Sequence, residues 1–224
     1  MNKKGNCKDP LEVIGRAKGY SRQELLTTLP RHSKFRPHHI NQIKSLPEVF
    51  LRNSGTPMAK KFIKMMREIS LETYRAKQFT RTEINNRGVL FGVVLLRHHV
   101  MDRVLQYFHE RWPQCIICLY NENTHKTGVI SEKGSIWEVK SPLKTIVEKI
   151  SRNRPVMPYF DDIQFSGDQI FETLYRSQNI IERENPRYFK SMIPDYCYKL
   201  PGMRHGVEKR YISRNKKLDN FLNE

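Results

Sequence analysis

The pattern of apolar and polar residues predicts a series of helices and strands in the middle of the chain. From Pro57 to about residue 78, apolar residues recur at three- and four-residue steps, which is typical of an amphipathic helix. Residues 89–96 form an apolar run containing Gly92, which predicts a buried strand closely approached by another part of the molecule. A second amphipathic segment at 100–112 and a second apolar run at 115–120 then predict a helix and a strand.

The remaining patterns complete an α+β fold. Residues 128–130 and 135–139 flank a turn at Gly134 and predict a hairpin, and further helices are predicted at 142–151 and 168–182. We therefore expect a small central sheet at about 89–139, packed by the helices at 57–78, 100–112, 142–151 and 168–182. The expected organisation is a basic N-terminal segment with short helices (1–56), an α+β core domain (57–201) and a basic C-terminal tail (202–224).

The charge balance points to a polyanionic partner. The chain has 40 Lys and Arg against 23 Asp and Glu, a formal net charge of +17. Such an excess repels itself in a compact state unless a polyanion relieves it, and nucleic acid also contributes a counterion-release gain. A ribosome-associated protein and a merely basic surface are the alternative interpretations.

Other sequence features restrict the setting in which the protein acts. No apolar run approaches the roughly 20 residues that a membrane helix needs. The basic N-terminus has no apolar stretch behind it, so no secretory signal is recognised. Four cysteines are widely spread, at Cys7, Cys115, Cys118 and Cys197, and without an export signal they are expected to be reduced. We therefore expect a cytoplasmic protein that does not enter a membrane.

The end of the first long helix carries candidate phosphate contacts. Arg75, Lys77 and Arg81 place three cations there, beside the aromatic residues Tyr74 and Phe79. Arginine and lysine contact phosphates, and Tyr74 would stack on an extruded base. The alternative is that the cations complement the helix dipole and that both aromatics belong to the core.

The C-terminal segment provides a second candidate contact line. Lys190, Lys199 and Arg204 are interleaved with aromatic residues that include Tyr188 and Tyr198. Basic residues that alternate with aromatics suit a groove that follows a phosphate backbone and stacks bases. The alternative is a solvated tail with a few docking tyrosines.

Cysteine and histidine patterns give little support to a metal site. Cys115 and Cys118 have CxxC spacing, but a strand would point them to opposite faces, so buried thiols are the preferred interpretation. Two adjacent histidine pairs, 38–39 and 98–99, rarely aim both side chains at one metal. His99, at the end of the first apolar run, is a candidate general base.

Acidic residues suggest at most a magnesium contact. Asp161 and Asp162 follow an aromatic pair and would bind Mg²⁺ near phosphate, but no further carboxylate has a supporting spacing. Asp162 is therefore kept as a candidate catalytic acid, and no cofactor is otherwise evident. Neither a P-loop nor a dinucleotide-binding glycine pattern is present.

Ordered motifs resemble a bacterial family, the domain of unknown function 4130. Residues 72–81 resemble its Glu-x-x-Arg-x-Lys-x-Phe-x-Arg signature, and residues 108–112 resemble its Phe-x-x-Arg-aromatic pattern. Residues 175–180, 185–187 and 192–194 look like its closing Tyr-x-Ser-Ile, Asn-Pro-x-Arg and Met-Pro elements. The resemblance covers roughly residues 68–201. The chain departs from the family at Tyr120-Asn121, where an acidic residue is common, and in the part before residue 57.

The resemblance implies work on DNA. Members are described as DNA repair or DNA metabolism proteins, are often encoded beside a radical-SAM protein, and are sometimes fused to a uracil-DNA glycosylase domain. We therefore expect a DNA-binding protein of DNA repair or base modification, of bacterial or phage origin, that acts with a partner enzyme.

Two alternatives to this function stay open. One is an enzyme acting directly on DNA bases, either glycosylase-like or a phage thymidine hypermodification enzyme, with a pocket lined by Tyr74, His99 and Asp162. The other is a non-catalytic adaptor that binds RNA or a ribosome, for which tight binding to structured RNA and no pocket are expected.

Overall fold

The computed structural model describes residues 19–158 and 193–200, which form two compact units. The first unit contains the described residues up to Arg75 together with Arg97–Val100. The second contains Ala76–Leu96 and the described residues from Met101 onward. The fold class is α+β, as the sequence predicts. The predicted helix at 168–182 and the predicted tail at 202–224 lie outside the described residues, and the predicted segment boundaries at 56 and 201 stay predictions.

The first unit is helical. Its helices are α1 (Arg22–Thr28), a 3-10 turn (Leu29–Arg31), α2 (His38–Ser45), α3 (Glu48–Asn53) and the part of α4 (Pro57–Phe79) that ends at Arg75. Helix α1 begins with a capping box, in which the Glu24 amide donates to the Ser21 hydroxyl (3.2 Å) and the Ser21 amide donates to the Glu24 carboxylate (2.7 Å).

The core of the first unit collects apolar residues from all of these helices. Phe62 is fully buried, and so are the residues that share its cluster, with exposures of 0 to 6%: Leu25, Leu29, Ile43, Leu51, Ala59, Met65 and Met66. The cluster residues that belong to α4 are spaced three and four residues apart, so the apolar face of this helix lies inward, whereas Lys60, Lys61 and Lys64 are exposed.

The second unit contains a five-stranded sheet. Its strands are β1 (Thr82–Ile84), β2 (Val89–Val94), β3 (Ile116–Asn121), β4 (Lys126–Ile130) and β5 (Ile136–Val139), and they lie in the order β1-β2-β3-β4-β5. Strands β2 and β3 are parallel and are connected through helix α5 (Met101–Arg111), whereas the other neighbours are antiparallel. The predicted hairpin is confirmed as β4 and β5, with a positive φ of 80° at Gly134.

Two helices cover opposite faces of this sheet. Gly128 lies under α5, since a Cβ added there would come within 2.6 Å of the Met101 side chain. On the other face, Cys118 and Val129 pack against Ile146 of helix α6 (Leu143–Arg152). Alternate residues of each strand therefore pack against different helices. Because both faces of the sheet are covered, these strands have continuous apolar runs in the sequence.

Gly92 is confirmed as a point of close approach. A Cβ at Gly92 would lie 2.6 Å from the carbonyl oxygen of Arg81 and 3.2 Å from a methyl group of Thr82. The approaching segment is therefore β1, a short strand that the sequence interpretation missed. Strand β2 ends at Val94, earlier than predicted. Beyond it, the Asn121 side chain accepts the backbone N–H of Leu96 and donates to its carbonyl oxygen (3.1 Å each), so the strand pairing does not continue.

The cysteines of the described residues are buried free thiols, as predicted. Burial raises the pKa of Cys118 to about 12 and also raises the pKa of Cys115. Both thiols are therefore protonated and unreactive at neutral pH. No helix in the described part of the chain is both long and apolar enough to cross a membrane.

Candidate functional site

A cationic cavity of about 410 Å³ lies in the first unit. Helix α4 contributes residues spaced three and seven apart, so that they share one face of the helix. The loop between the 3-10 turn and α2 contributes the opposite wall. Together the two elements place four basic side chains in the lining: Lys34, Arg36, Lys61 and Lys64.

Carboxylates of the described part of the chain do not pair with these four cations. Within residues 19–158 and 193–200, none of the four forms an ion pair with an acidic side chain. The guanidinium of Arg36 instead donates to the carbonyl oxygens of Ser33 (3.3 Å) and Phe35 (2.8 Å). The cavity therefore carries a concentrated positive potential that attracts anions.

The acidic residue of the lining, Glu68, is hydrogen-bonded to a buried histidine. His32 is only 3% exposed, and its Nε2 lies 2.9 Å from the Glu68 carboxylate. The Lys34 amide donates to Nδ1 of the same ring (3.1 Å), so Nε2 must carry the proton that is donated to Glu68. This hydrogen bond is the main cause that holds the pKa of Glu68 below its usual value.

A second histidine joins this pair. The ring of His98 lies 4.2 Å from the ring of His32, and its Nδ1 faces the Ser33 amide (3.3 Å). Burial, followed by the neighbouring His32 ring, lowers the pKa of His98 to about 4. His98 is therefore uncharged at neutral pH.

The ligand atoms of His32, Glu68 and His98 all lie within 4.8 Å of one another, a spacing that a metal site would also have. The hydrogen bonds favour a different interpretation. Each imidazole accepts a backbone N–H at Nδ1, so each Nε2 carries its proton and has no lone pair for a metal. The geometry is that of a hydrogen-bonded network at the edge of the cavity.

Glu72 positions His98 within this network. Its carboxylate accepts the backbone N–H groups of Arg97 (3.0 Å) and His98 (2.8 Å). Burial is the largest influence on this carboxyl and raises its pKa, although both hydrogen bonds act in the opposite direction. The acidic residue that begins the signature motif thus anchors a loop 25 residues away in sequence.

A third histidine faces the cavity with both ring nitrogens near donors. His39 is 3% exposed, and its Nδ1 accepts the Arg36 amide (3.0 Å). Its Nε2, which must then carry the proton, lies 3.2 Å from Nζ of Lys61. Burial and then the Lys61 charge lower the pKa of His39, so this ring is uncharged at neutral pH.

The three cations that the sequence places at the end of α4 have different interaction partners. Arg75 is half-buried on α4 and has no carboxylate partner among the described residues. The ammonium of Lys77 lies 5.0 Å from the centre of the Tyr107 ring, a cation–π distance. Arg81 donates to the carbonyl oxygen of Gln78 (3.0 Å). Their roles as phosphate contacts stay predictions.

The other predicted site residues are distributed along the chain. Tyr74 is half-buried on α4, and His99 is exposed, with its amide donating to the Arg31 carbonyl (2.8 Å). Lys199 is exposed at the end of a 3-10 turn, and Tyr198 packs against a small apolar cluster. The remaining predicted residues lie outside the described part: Tyr188, Lys190, Arg204 and Asp162.

Sequence reasoning missed the cavity as a unit. It noted the two histidine pairs, but it did not relate them to the lysines of α4 or to the loop before α2. Spacing along α4 places Lys61, Lys64 and Glu68 on one face, and that signal was available. No local signal links this face to His32 or His98.

We expect the protein to lose stability between about pH 6.5 and 4, in part because of His98. Its folded-state pKa is about 4, whereas an unfolded histidine titrates near about 6.5. Below the unfolded value the unfolded chain therefore binds a proton that folded His98 does not, so stability present above pH 6.5 is lost as pH falls. Urea unfolding at a series of pH values should show a shallower loss for His98→Asn, whose amide oxygen can still accept the Ser33 N–H.

His99→Asn is the matched control for this measurement. His99 is the exposed neighbour, so the variant should keep the pH dependence of the parent protein. Identical slopes for His98→Asn and the parent would contradict the assignment. His39, whose pKa is also lowered, contributes in the same direction and explains why part of the slope should persist.

Fold and site together define an α+β protein with a strongly cationic cavity and an adjoining histidine–glutamate network. The chain belongs to the family described as domain of unknown function DUF4130, whose model matches residues 37–200. This match confirms the resemblance seen in the signature motif and covers well over half of the chain. No curated protein and no solved structure matches the chain.

Proposed function

We propose that the protein binds DNA in the cytoplasm and acts in DNA repair or base modification together with a partner enzyme. The observation that carries the proposal is the cavity in which Lys34, Arg36, Lys61 and Lys64 converge without carboxylate partners among the described residues. Cations that no carboxylate neutralises keep their charge available to an external polyanion.

Charge and resemblance support the same function. The formal charge of +17 gives DNA a favourable long-range attraction, and each phosphate that is neutralised releases counterions. Phosphate contacts of this kind position a protein on nucleic acid without reading its sequence. The DNA repair association of proteins that share the signature motif supports DNA as the polyanion, and a radical-SAM protein or another DNA-modifying enzyme as the partner.

Reversal of two cavity lysines should weaken DNA binding strongly. We expect Lys61→Glu combined with Lys64→Glu to lower the affinity for DNA by about tenfold or more. The slope of the logarithm of the binding constant against the logarithm of salt concentration should fall by the equivalent of about two phosphate contacts. The measurement is fluorescence anisotropy of single- and double-stranded oligonucleotides between about 50 and 200 mM salt. Circular dichroism of each variant verifies that the fold is intact.

A second double variant controls for charge alone. Lys60 and Arg67 lie on the same helix and are exposed, but they do not line the cavity. Their reversal to Glu changes net charge by the same amount and should affect binding less than the cavity variant. Equal losses would indicate a diffuse charge effect, and unchanged binding by the cavity variant would contradict the proposal.

The helix-end set predicted from the sequence is tested in the same assay. Reversal of Arg75 and Lys77 to Glu should abolish DNA retention if these residues hold phosphate. Unchanged binding would remove that assignment and leave the cavity as the contact site. The same binding assay tests the other predicted phosphate contacts, which are Lys190, Lys199 and Arg204. It also tests the predicted stacking residues Tyr188 and Tyr198.

The enzyme and RNA alternatives are separated by substrate. Purified protein incubated with plain, damaged and modified DNA should leave the nucleosides unchanged by mass spectrometry, since the proposal assigns the chemistry to a partner. Altered nucleosides would favour an enzyme that acts directly on bases. Tighter binding to structured RNA than to DNA would favour the adaptor.

A further inference from the structure

We infer that the cavity is a binding site for a phosphate monoester, the dianionic group found at the end of a DNA strand or on a free nucleotide. The inference deepens the proposed function and rests on it only for the source of the phosphate. A monoester differs from the internal phosphodiesters of a strand in charge and in shape. It carries about −1.5 to −2 charge at neutral pH and presents three terminal oxygens.

The arrangement of the cations suits a single, highly charged group. Lys61 and Lys64 come from α4, whereas Lys34 and Arg36 come from the loop, and all four line one cavity of about 410 Å³. This volume is within the range of small-molecule sites. A track for internal phosphodiesters would instead distribute its cations along a groove.

His39 and Lys61 provide the second, independent observation. The His39 ring is nine-tenths buried or more, and its protonated Nε2 lies 3.2 Å from the Lys61 ammonium, which can only donate. Two donors therefore face each other and neither satisfies the other. An anionic oxygen beside both groups would accept a hydrogen bond from each, so this pair of donors suits an anion.

The acidic residue of the lining, Glu68, is outnumbered by the four cations. Its Oε2 already accepts the His32 proton at 2.9 Å. The Lys64 charge acts on the same carboxyl and stabilises its ionised form. With four cations around one ionised carboxylate, the lining keeps a net positive charge.

The test compares oligonucleotides that differ only at one end. A short single-stranded oligonucleotide with a 5′-phosphate should bind more tightly than the same strand with a 5′-hydroxyl, by about tenfold to a hundredfold for charge-assisted contacts. Lys61→Met should abolish this preference. Lys60→Met, a neighbouring exposed lysine outside the lining, should retain it. Strands with a 3′-phosphate extend the comparison to the other end.

A second measurement separates this inference from DNA binding itself. Titration with inorganic phosphate, followed through the ¹⁵N resonances of the His39 ring, should perturb His39 in the parent protein and in Lys60→Met but not in Lys61→Met. Thymidine 5′-monophosphate in place of the oligonucleotide then identifies the source. Binding as tight as that of the phosphorylated strand assigns a free nucleotide, and weaker binding assigns a strand end.

The outcomes distinguish the two proposals. Equal affinity for phosphorylated and unphosphorylated strands, together with an unperturbed His39, would overturn the monoester site and leave DNA binding intact. Perturbation of His39 by phosphate without any affinity for DNA would support the site and overturn the proposed function. A preference for the 5′-phosphate that survives Lys61→Met would also overturn the assignment to this cavity.

Discussion

Replacement of Phe62 by alanine is expected to destabilise the protein by about 3–5 kcal/mol, the usual cost of removing a large aromatic side chain from a packed core. Phe62 is fully buried at the centre of the apolar cluster of the first unit. Its ring also meets the His39 ring edge-on, with the centroids 5.7 Å apart. The substitution therefore removes core packing and one of the contacts that hold His39 at the cavity.

Urea unfolding followed by circular dichroism and by tryptophan fluorescence measures this loss. Both tryptophans, Trp112 and Trp137, belong to the second unit, so fluorescence reports that unit while circular dichroism reports the whole chain. Met58→Ala is the control on the same helix, because Met58 is 36% exposed and its truncation should change stability by less than about 0.5 kcal/mol. A loss below about 1 kcal/mol for Phe62→Ala would contradict the packing described.

Periodicity was sufficient to predict the main elements of the fold. The steps of three and four residues in α4 and α5 place their apolar residues on one face, and the structure has helices at Pro57–Phe79 and Met101–Arg111. The two apolar runs became the parallel strands β2 and β3, because a strand covered on both faces has no polar side. Gly92 also correctly indicated a close backbone approach.

Short or non-periodic elements could not be predicted in the same way. Strand β1 has three residues, too few for an alternation to be distinguished from chance. A turn signal was present, since Asn85 accepts the amides of Arg87 (3.1 Å) and Val89 (3.0 Å) and Gly88 adopts a positive φ of 68°. Such asparagine and glycine turns are typical of hairpins, and they were the signal by which β1 could have been found.

The candidate site was predictable only in part, because its residues are distant in sequence. Lys61, Lys64 and Glu68 share a helix face, so their proximity follows from spacing alone. His32 and His98 are 66 residues apart in the numbering, and only the tertiary fold brings their rings within 4.2 Å. Each of these residues, taken singly, is adequately explained as an ordinary polar residue of a loop or a helix.

The signature motif is a second example of a role that could not be predicted from the sequence. Sequence reasoning assigned its cations to phosphate binding, but it gave no role to Glu72, the acidic residue that begins the motif. The structure shows that Glu72 reaches the backbone of residues 97 and 98 and thereby holds His98 beside His32. Part of the signature therefore maintains the architecture of the site.

Glu72→Ala is accordingly expected to lower the free energy of unfolding by about 2 kcal/mol, the cost of two backbone N–H groups losing a charged acceptor, reduced because one of them is exposed. Release of the 97–98 backbone should also return the pKa of His98 from about 4 toward the ordinary histidine value of about 6.5, because the ring would leave its half-buried position. Chemical denaturation measures the first effect, and NMR titration of the histidine ring protons measures the second.

Two further variants make this prediction specific. Glu83→Ala removes an exposed carboxylate of β1 and should change neither quantity, whereas Glu72→Gln retains one acceptor oxygen and should give a smaller loss of stability than alanine. If the pKa of His98 stays near 4 in Glu72→Ala, then burial against His32 is sufficient to position the ring and Glu72 acts on stability alone. If the pKa rises in step with the loss of stability, the anchoring carboxylate and the histidine network form one coupled unit, as the two hydrogen bonds indicate.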